Sequence, residues 1–343
     1  MNWQTYKIEI VTPCFCAGAK QLQAEIRVPS IRGQLRWWFR ALGGTREEEQ
    51  AIFGGVHGKA ASSAVVLRVE NPPTSTVAMN LNTLPIKDDY LYWPLRPGKH
   101  SDQKRGVLLP DTTFQFSLAW RRLNDDEKLK NILDVVVQLW ILLGAIGTRS
   151  RRAAGSLWPV ENAPQNIEEL KAKIIGLMKT IPNPSMQVFV LKEDFGNLDG
   201  ALRYTGNWLK QWRAGSTRSV SSPKRWGKND HDAGLKESDI VYRPALGLPL
   251  MQRYTGAKLT AETLFNDGDR WASPLHLKII RLANRYCPCV VYFPHHVIPE
   301  NSRLLIKEKR SRAPGHAVRL RHDLIDEMLG DLTPVYHGPT TKS

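Results

Sequence analysis

The chain is expected to fold as an α+β protein of tandem ferredoxin-like (RRM-like) domains, each an antiparallel sheet with helices packed on one face. Two observations lead there. The first half reads as strand, helix, strand, strand, helix, strand, which is the element order of that fold. The 343 residues, 42% of them hydrophobic, exceed one typical domain and supply enough apolar side chains for two cores. The expected division is 1–160, ending in a glycine- and arginine-rich loop, and 161–343, with a long basic loop near 215–239.

Each element rests on its own pattern. "YKIEIVTP" from Tyr6 alternates as a strand. In "VPSIRGQLRWWFRAL", Ile31, Leu35, Trp38, Phe39 and Leu42 recur on one helical face, with Ser30 in front as N-cap. "SSAVVLRVE" and "TTFQFSLAW" are β-branched and aromatic enough for strands, with the polar loop "RPGKHSDQKRG" between them. A helix from Asp126 to Leu143 follows. Its apolar run, Ile132 to Ile146, is too short to span a bilayer and contains Asp134 and Gln138, so it reads as a buried helix. The chain then re-enters a strand near "SLWPV". In the second half "ENAPQNIEELKAKIIGLMKT", Leu202 to Arg213 and Asp323 to Leu329 read as helices, and "MQVFVLK", "PLHLKIIRLA" and "CVVYFP" as strands.

The formal net charge of +15 points to a polyanionic partner. Nucleic acid fits better than a membrane. The opening "MNWQTYKIEI" has no apolar signal core, so a cytoplasmic location is expected. Cys14 and Cys16 form one C-x-C and Cys287 with Cys289 another; four thiolates could hold zinc, but structural zinc ligands favour wider spacing, and buried packing is the simpler role. No metal or cofactor is expected.

Three regions carry the charge. In the first helix Arg32, Arg36 and Arg40 form a stripe beside the apolar face, Trp37 falls on the far side, and no acid between Val28 and Arg46 answers the arginines. An amphipathic helix with solvated arginines is the plain alternative. The second region is Gly144 to Gly155, where three glycines surround Thr148, Arg149, Ser150, Arg151 and Arg152. Glycine lets a backbone approach a phosphate and arginine clamps its oxygens, with the arginines expected outside the core; a flexible basic loop is the alternative. It is not a Walker loop, and Gly58, Lys59, Ala60 fails that motif at its last position. In the third region, Gly200 to Asn229, Tyr204, Trp208, Trp212 and Trp226 are interleaved with Lys and Arg, as single-stranded nucleic acid requires; Trp208 and Trp212, four apart, would equally suit a helix core.

"VPSIRGQLRWWFRAL", "GTRSRRAAGSLWP" and "RWASPLHLKI" together resemble motifs of the RAMP superfamily, and within it the subunit that comes first in the type III-B CRISPR (Cmr) effector complex. The resemblance implies two ferredoxin-like domains in an antiviral ribonucleoprotein, near the 3′ end of the guide CRISPR RNA, beside other RAMP subunits and where single-stranded target RNA pairs. It implies that Ser30, Arg32 and Arg36 lie against RNA backbone, that Arg149, Ser150, Arg151 and Arg152 form the glycine-rich loop, and that Arg270, Ser273, His276 and Lys278 form the third motif. Trp37 and Arg40 join them as RNA-binding candidates on position alone.

The rival reading is a metal-independent endoribonuclease processing CRISPR RNA through a histidine. Of nine histidines, His57, His295 and His296 stand out, but none has a second catalytic partner beside it in sequence. Asp230 to Asp232, in "NDHD", read as a solvated turn rather than metal ligands. With no helix-turn-helix or finger spacing, DNA binding ranks lower. An RNA-binding subunit without enzymatic activity is the expectation.

Overall fold

The computed structural model describes residues 2–56, 60–75, 77–79, 90–95, 104–121, 126–182, 185–191, 194–214, 226–254, 259–265, 268–309 and 315–338. His57, Gly58, Lys59, most of the polar loop 96–106 and residues 215–225 of the basic loop lie outside them.

The chain opens with β1 (Trp3–Ile10), α1 (Val28–Ala41) and α2 (Arg46–Phe53), followed by β2 (Val65–Glu70), β3 (Thr112–Trp120), α3 (Glu127–Leu143) and β4 (Leu157–Pro159). The first sheet has the order β2-β3-β1-β4, antiparallel throughout. Tyr6 sits opposite Phe116 and stacks on it at 6.2 Å. Ile8, Ile10, Phe114 and Leu118 continue the buried rows. Helices α1 and α3 lie against each other and against the sheet, so both cover one face. Asp126 caps α3 through the Leu129 N–H at 3.0 Å, and Thr45 with Glu48 forms a reciprocal capping box on α2.

After α4 (Ile167–Met178) come β5 (Gln187–Val190) and α5 (Leu198–Ala214). Then come α6 (Trp226–Gly234), β6 (Ile240–Val241), β7 (Leu250–Tyr254) and β8 (Leu259–Leu264), and next β9 (Leu275–Leu282) and β10 (Arg285–Tyr292). The chain closes with β11 (Arg303–Glu308), β12 (His316–Leu320), α7 (Asp323–Gly330) and β13 (Thr333–His337). Strands β5, β9, β10 and β13 form a second four-stranded sheet, ordered β9-β10-β5-β13, in which the first strand along the chain is again central. The same order in both sheets makes the architecture tandem ferredoxin-like. The extra strands build a third sheet, β6-β12-β11-β8-β7.

Two compact units result. One holds Met1–Arg203, His276–Tyr292 and Thr333–Ser343, and therefore both ferredoxin-like sheets; the other holds Tyr204–Leu275 and Phe293–Leu332, with the third sheet. In the first unit the sheets are joined through the segment before β4: Ala153 N–H donates to Leu277 O at 3.0 Å, and Leu277 N–H to Arg151 O at 3.3 Å. A single cut at 160 separates the two ferredoxin-like sheets along the chain, whereas packing divides the molecule elsewhere, because inserted strands have a core of their own.

The third sequence region changes character. Trp208, Trp212 and Trp226 are buried, so these rings are core and not stacking surfaces. "NDHD" is not a solvated turn but part of α6. Buried Asp230 accepts from Arg243 Nε at 2.7 Å and from the Tyr242 N–H at 2.8 Å. Burial pushes its carboxyl pKa up and Arg243 opposes that. All four cysteines are buried free thiols.

Candidate nucleic-acid interface

Helix α1 begins earlier than its apolar pattern suggests. Arg27, extended at φ −118°, holds the N-cap position, Pro29 occupies the first turn, and Ser30 is an exposed helical residue rather than the cap. Proline fixes φ and needs no N–H partner there, which moves the start ahead of Ser30. No side chain caps this end and no acid lies in its first turn, although Glu25 stands 3.4 Å from the N-cap residue Arg27.

The arginine stripe does have an acid. Glu49, buried on α2, accepts from Arg40 Nη1 at 2.6 Å and from Arg36 Nε. Burial pushes this carboxyl up, but the two guanidiniums outweigh it and hold the pKa below the usual value. The expectation of an unanswered stripe therefore fails for Arg36 and Arg40. Their partner lies just past the Val28–Arg46 window and reaches them by the turn between the helices. Arg32 donates to Ser63 Oγ at 3.0 Å and to Phe53 O at 3.4 Å.

In the loop, glycine serves the fold. Gly147 at φ +89° and Gly155 at φ +62° would carry a Cβ 2.7 Å from Phe15 O and 2.0 Å from Ile146 O. Backbone donors that could have cradled a phosphate are used inside the protein: Thr148 N–H on Phe15 O, Gly155 N–H on Pro13 O, Ile146 N–H on Gly155 O. Arg149 grips Leu91 O with Nε at 3.0 Å and Nη2 at 2.6 Å. The loop arginines are half-buried rather than outside the core, and Ser150 is half-buried beside them.

Trp37 does not project away alone. It stacks on His276 with centroids 4.7 Å apart and planes 26° apart, and the Arg151 guanidinium lies 5.3 Å from its ring centroid. Arg151 Nε donates to His276 Nε2 at 2.9 Å. Arginine has only donors, so Nε2 is unprotonated and the ring proton sits on Nδ1. Burial lowers the Arg151 pKa from its usual value. One residue from each of the three motifs thus meets the other two, β9 carrying His276 to the loop and to α1. Arg152, on the same loop, is bridged to Leu277.

Lys278 is a correction. It is buried in β9, and its ammonium donates to Gly144 O at 3.0 Å and Ile141 O at 3.2 Å, closing the C-terminal end of α3. Burial pushes its pKa well below the ordinary lysine value. A ligand in solvent does not reach it, since both faces of β9 are covered. Arg270 is exposed in the other unit, and Ser273 there shares its hydroxyl with Leu275.

The sequence reading missed Glu49, although "TREE" from Thr45 is a capping-box signature that announces α2. It also missed Leu91 to Leu95, which the loop holds. Tyr92 is buried, and its hydroxyl donates to Ala153 O at 3.2 Å. No spacing rule links residues sixty positions apart.

Residues 7–158 match the RAMP superfamily model. Two proteins of Pyrococcus furiosus are similar. CRISPR system Cmr subunit Cmr1-2 is 29% identical over 177 residues, 44% of this chain and 92% of that one. Cmr subunit Cmr1-1 is 29% identical over 160 residues, 43% of this chain and 44% of its own length. The crystal structure of apo Cmr1 from Pyrococcus furiosus shares the fold over 99% of this chain and 100% of that one, with a TM-score of 0.59 at 19% identity. A chain of the type III-B Cmr-beta complex bound to cognate target RNA matches over 84% of this chain and 94% of that one, with a TM-score of 0.50 at 13% identity. Residues 7–158 are thus similar to the RAMP superfamily, over the stretch that carries the first ferredoxin-like sheet.

Proposed function

We propose that the chain is an RNA-binding subunit of a type III-B CRISPR effector ribonucleoprotein. It sits toward the 3′ end of the guide RNA beside other RAMP subunits and assists capture of single-stranded target RNA. The observation that carries this is the meeting of Trp37, Arg151 and His276, where aromatic faces and a guanidinium lie together next to a basic loop. The uncapped start of α1 offers a second anion-binding feature, with Ser30 exposed on it. The net charge of +15 and the likeness to Cmr subunits support the same reading. Arg151 and Arg152 on the loop, Arg32 beside Ser63, and exposed Arg270 are its cationic contacts; the ferredoxin-like halves it uses divide near residue 160.

Binding without cleavage fits His276. Its Nε2 is taken by Arg151 and one ring face by Trp37, so it is held as a packed partner rather than poised as an acid or base. Among the described residues no helix is long and apolar enough to cross a membrane, and we place the complex in the cytoplasm.

The test is competition binding with the purified chain, followed by incubation with labelled repeat RNA. Single-stranded RNA should be preferred over duplex DNA, with no discrete cleavage product; preference for duplex DNA, or a product whose formation depends on His276, overturns the reading.

A further inference from the structure

Strand β1 is paired along its whole length on one side only. Toward β3 it pairs from Trp3, opposite Ala119, to Ile10, opposite Thr112, whereas toward β4 it pairs at Ile8, Glu9 and Ile10 alone. The last bond on the β4 side runs from the Val160 N–H to Lys7 O at 3.0 Å, and Asn162, at φ +51°, then bends the chain out of line. Backbone groups alternate in direction along a strand, so those of Trp3 and Thr5 face the same side as those of Lys7. Among the described residues no backbone group meets Trp3 or Thr5 there, and none accepts from the Lys7 N–H. This open edge is held in place: the Gln4 and Tyr6 side chains each donate to Asp134 of α3 at 2.5 Å.

A cleft of about 250 Å³ runs along the open stretch, past the end of β4. Ile141 and Leu142 of α3 give it an apolar wall, and Lys7 and Lys173 line it with charge. Lys173, on α4, is half-buried, and its ammonium donates to Asn162 O at 2.7 Å. Burial lowers its pKa. Among the described residues no carboxylate forms an ion pair with Lys7 or Lys173.

We propose that the open edge of β1 and this cleft take an extended acidic segment of a partner protein, which adds to the first sheet as a strand beside Trp3–Lys7. Donors and acceptors at two-residue spacing match the backbone of another strand, a pattern that no nucleic acid repeats. Alternate side chains of the added strand enter the cleft, where an apolar one meets Ile141 and Leu142 and a carboxylate meets Lys173. A second copy of this chain does not fit, because Trp3 to Lys7 would bring lysine and no acid. The inference does not depend on RNA binding.

Binding to the 343-residue chain is measured for a short labelled peptide that alternates valine and threonine with one glutamate at a valine position, for its glutamine counterpart, and for the glutamate peptide N-methylated throughout. The glutamate peptide should bind about fivefold more tightly than the glutamine one, and the N-methylated one should not bind. Binding should slow amide exchange at Thr5 and Lys7. Thr5→Pro removes a donor from the open side and none from the β3 ladder, and should weaken binding about tenfold. Lys173→Gln, which decides the matter if Thr5→Pro does not fold, should abolish the preference for glutamate and leave affinity for the glutamine peptide unchanged. No binding of the glutamate peptide, binding of the N-methylated one, or an undiminished glutamate preference in Lys173→Gln overturns the inference. Displacement of the peptide by single-stranded RNA assigns the cleft to RNA, and a dimer of the unsubstituted chain that Thr5→Pro dissolves assigns the edge to a second copy; either result overturns it too.

Discussion

Arg36 and Arg40 on α1 share one buried carboxylate, whereas in the loop Arg149 grips a carbonyl and Arg151 an imidazole beside an indole. The residue type and the local density of charge are the same in both regions. The difference is in what answers the charge. Glu49 cancels half of the α1 pair, so that pair chiefly joins α1 to α2. A carbonyl or imidazole fixes an arginine in direction without reducing its charge. Counting arginines along a sequence does not distinguish the two cases.

The comparison breaks first at Lys278, the cation taken furthest inside. Lys278→Ala should cost about 2–4 kcal/mol by leaving the last carbonyls of α3 without a donor, and refolded protein should bind RNA normally. Lys278→Met keeps most of the packing. Burial puts the folded pKa below the unfolded one, so between the two values the unfolded chain binds more protons and stability rises with pH. Melting curves should show the unsubstituted chain gaining on Lys278→Met as pH rises from about 7 toward about 10. A constant difference would mean that the ammonium is solvated.

Glu49→Gln comes next. It should cost about 1–2 kcal/mol, reduced from the value for a fully buried pair because both arginines can turn to solvent. RNA affinity at low salt should rise as two guanidiniums are released. Loss of affinity in a protein that still folds would show that the Glu49 fork positions the arginines for RNA.

Arg149→Ala should cost about 1 kcal/mol through the lost grip on Leu91, read as a lower melting temperature. Joint replacement of Arg151 and Arg152 by alanine should lower the log–log salt slope of RNA binding by about 0.7 for each phosphate released. Arg36→Ala should leave that slope nearly unchanged. Equal slope losses from helix and loop variants would erase the distinction drawn between the two regions. Ser30→Ala, on an exposed helical position that caps nothing, should stay within about 0.5 kcal/mol in stability, and any effect should be confined to RNA affinity.

By itself the sequence determined the element order of the first ferredoxin-like half apart from α2, and the faces of the main helices. Helix α1 buries Ile31, Leu35, Trp38 and Phe39, and α3 is the apolar run ending at the loop. Both patterns are local: they depend on residues three or four apart, and burial enforces them wherever the helix lies. The three motifs were legible for the same reason, as short runs of fixed composition. What only the tertiary structure decided was the partner of each charge. Glu49 comes to Arg36 by a turn between helices, His276 comes to Arg151 across 125 positions, Leu91 to Arg149 across 58, and Lys278 to Gly144 across 134. A charged group takes its energy from the few atoms within hydrogen-bond reach, and in this protein those atoms come from distant segments that only chain packing brings together.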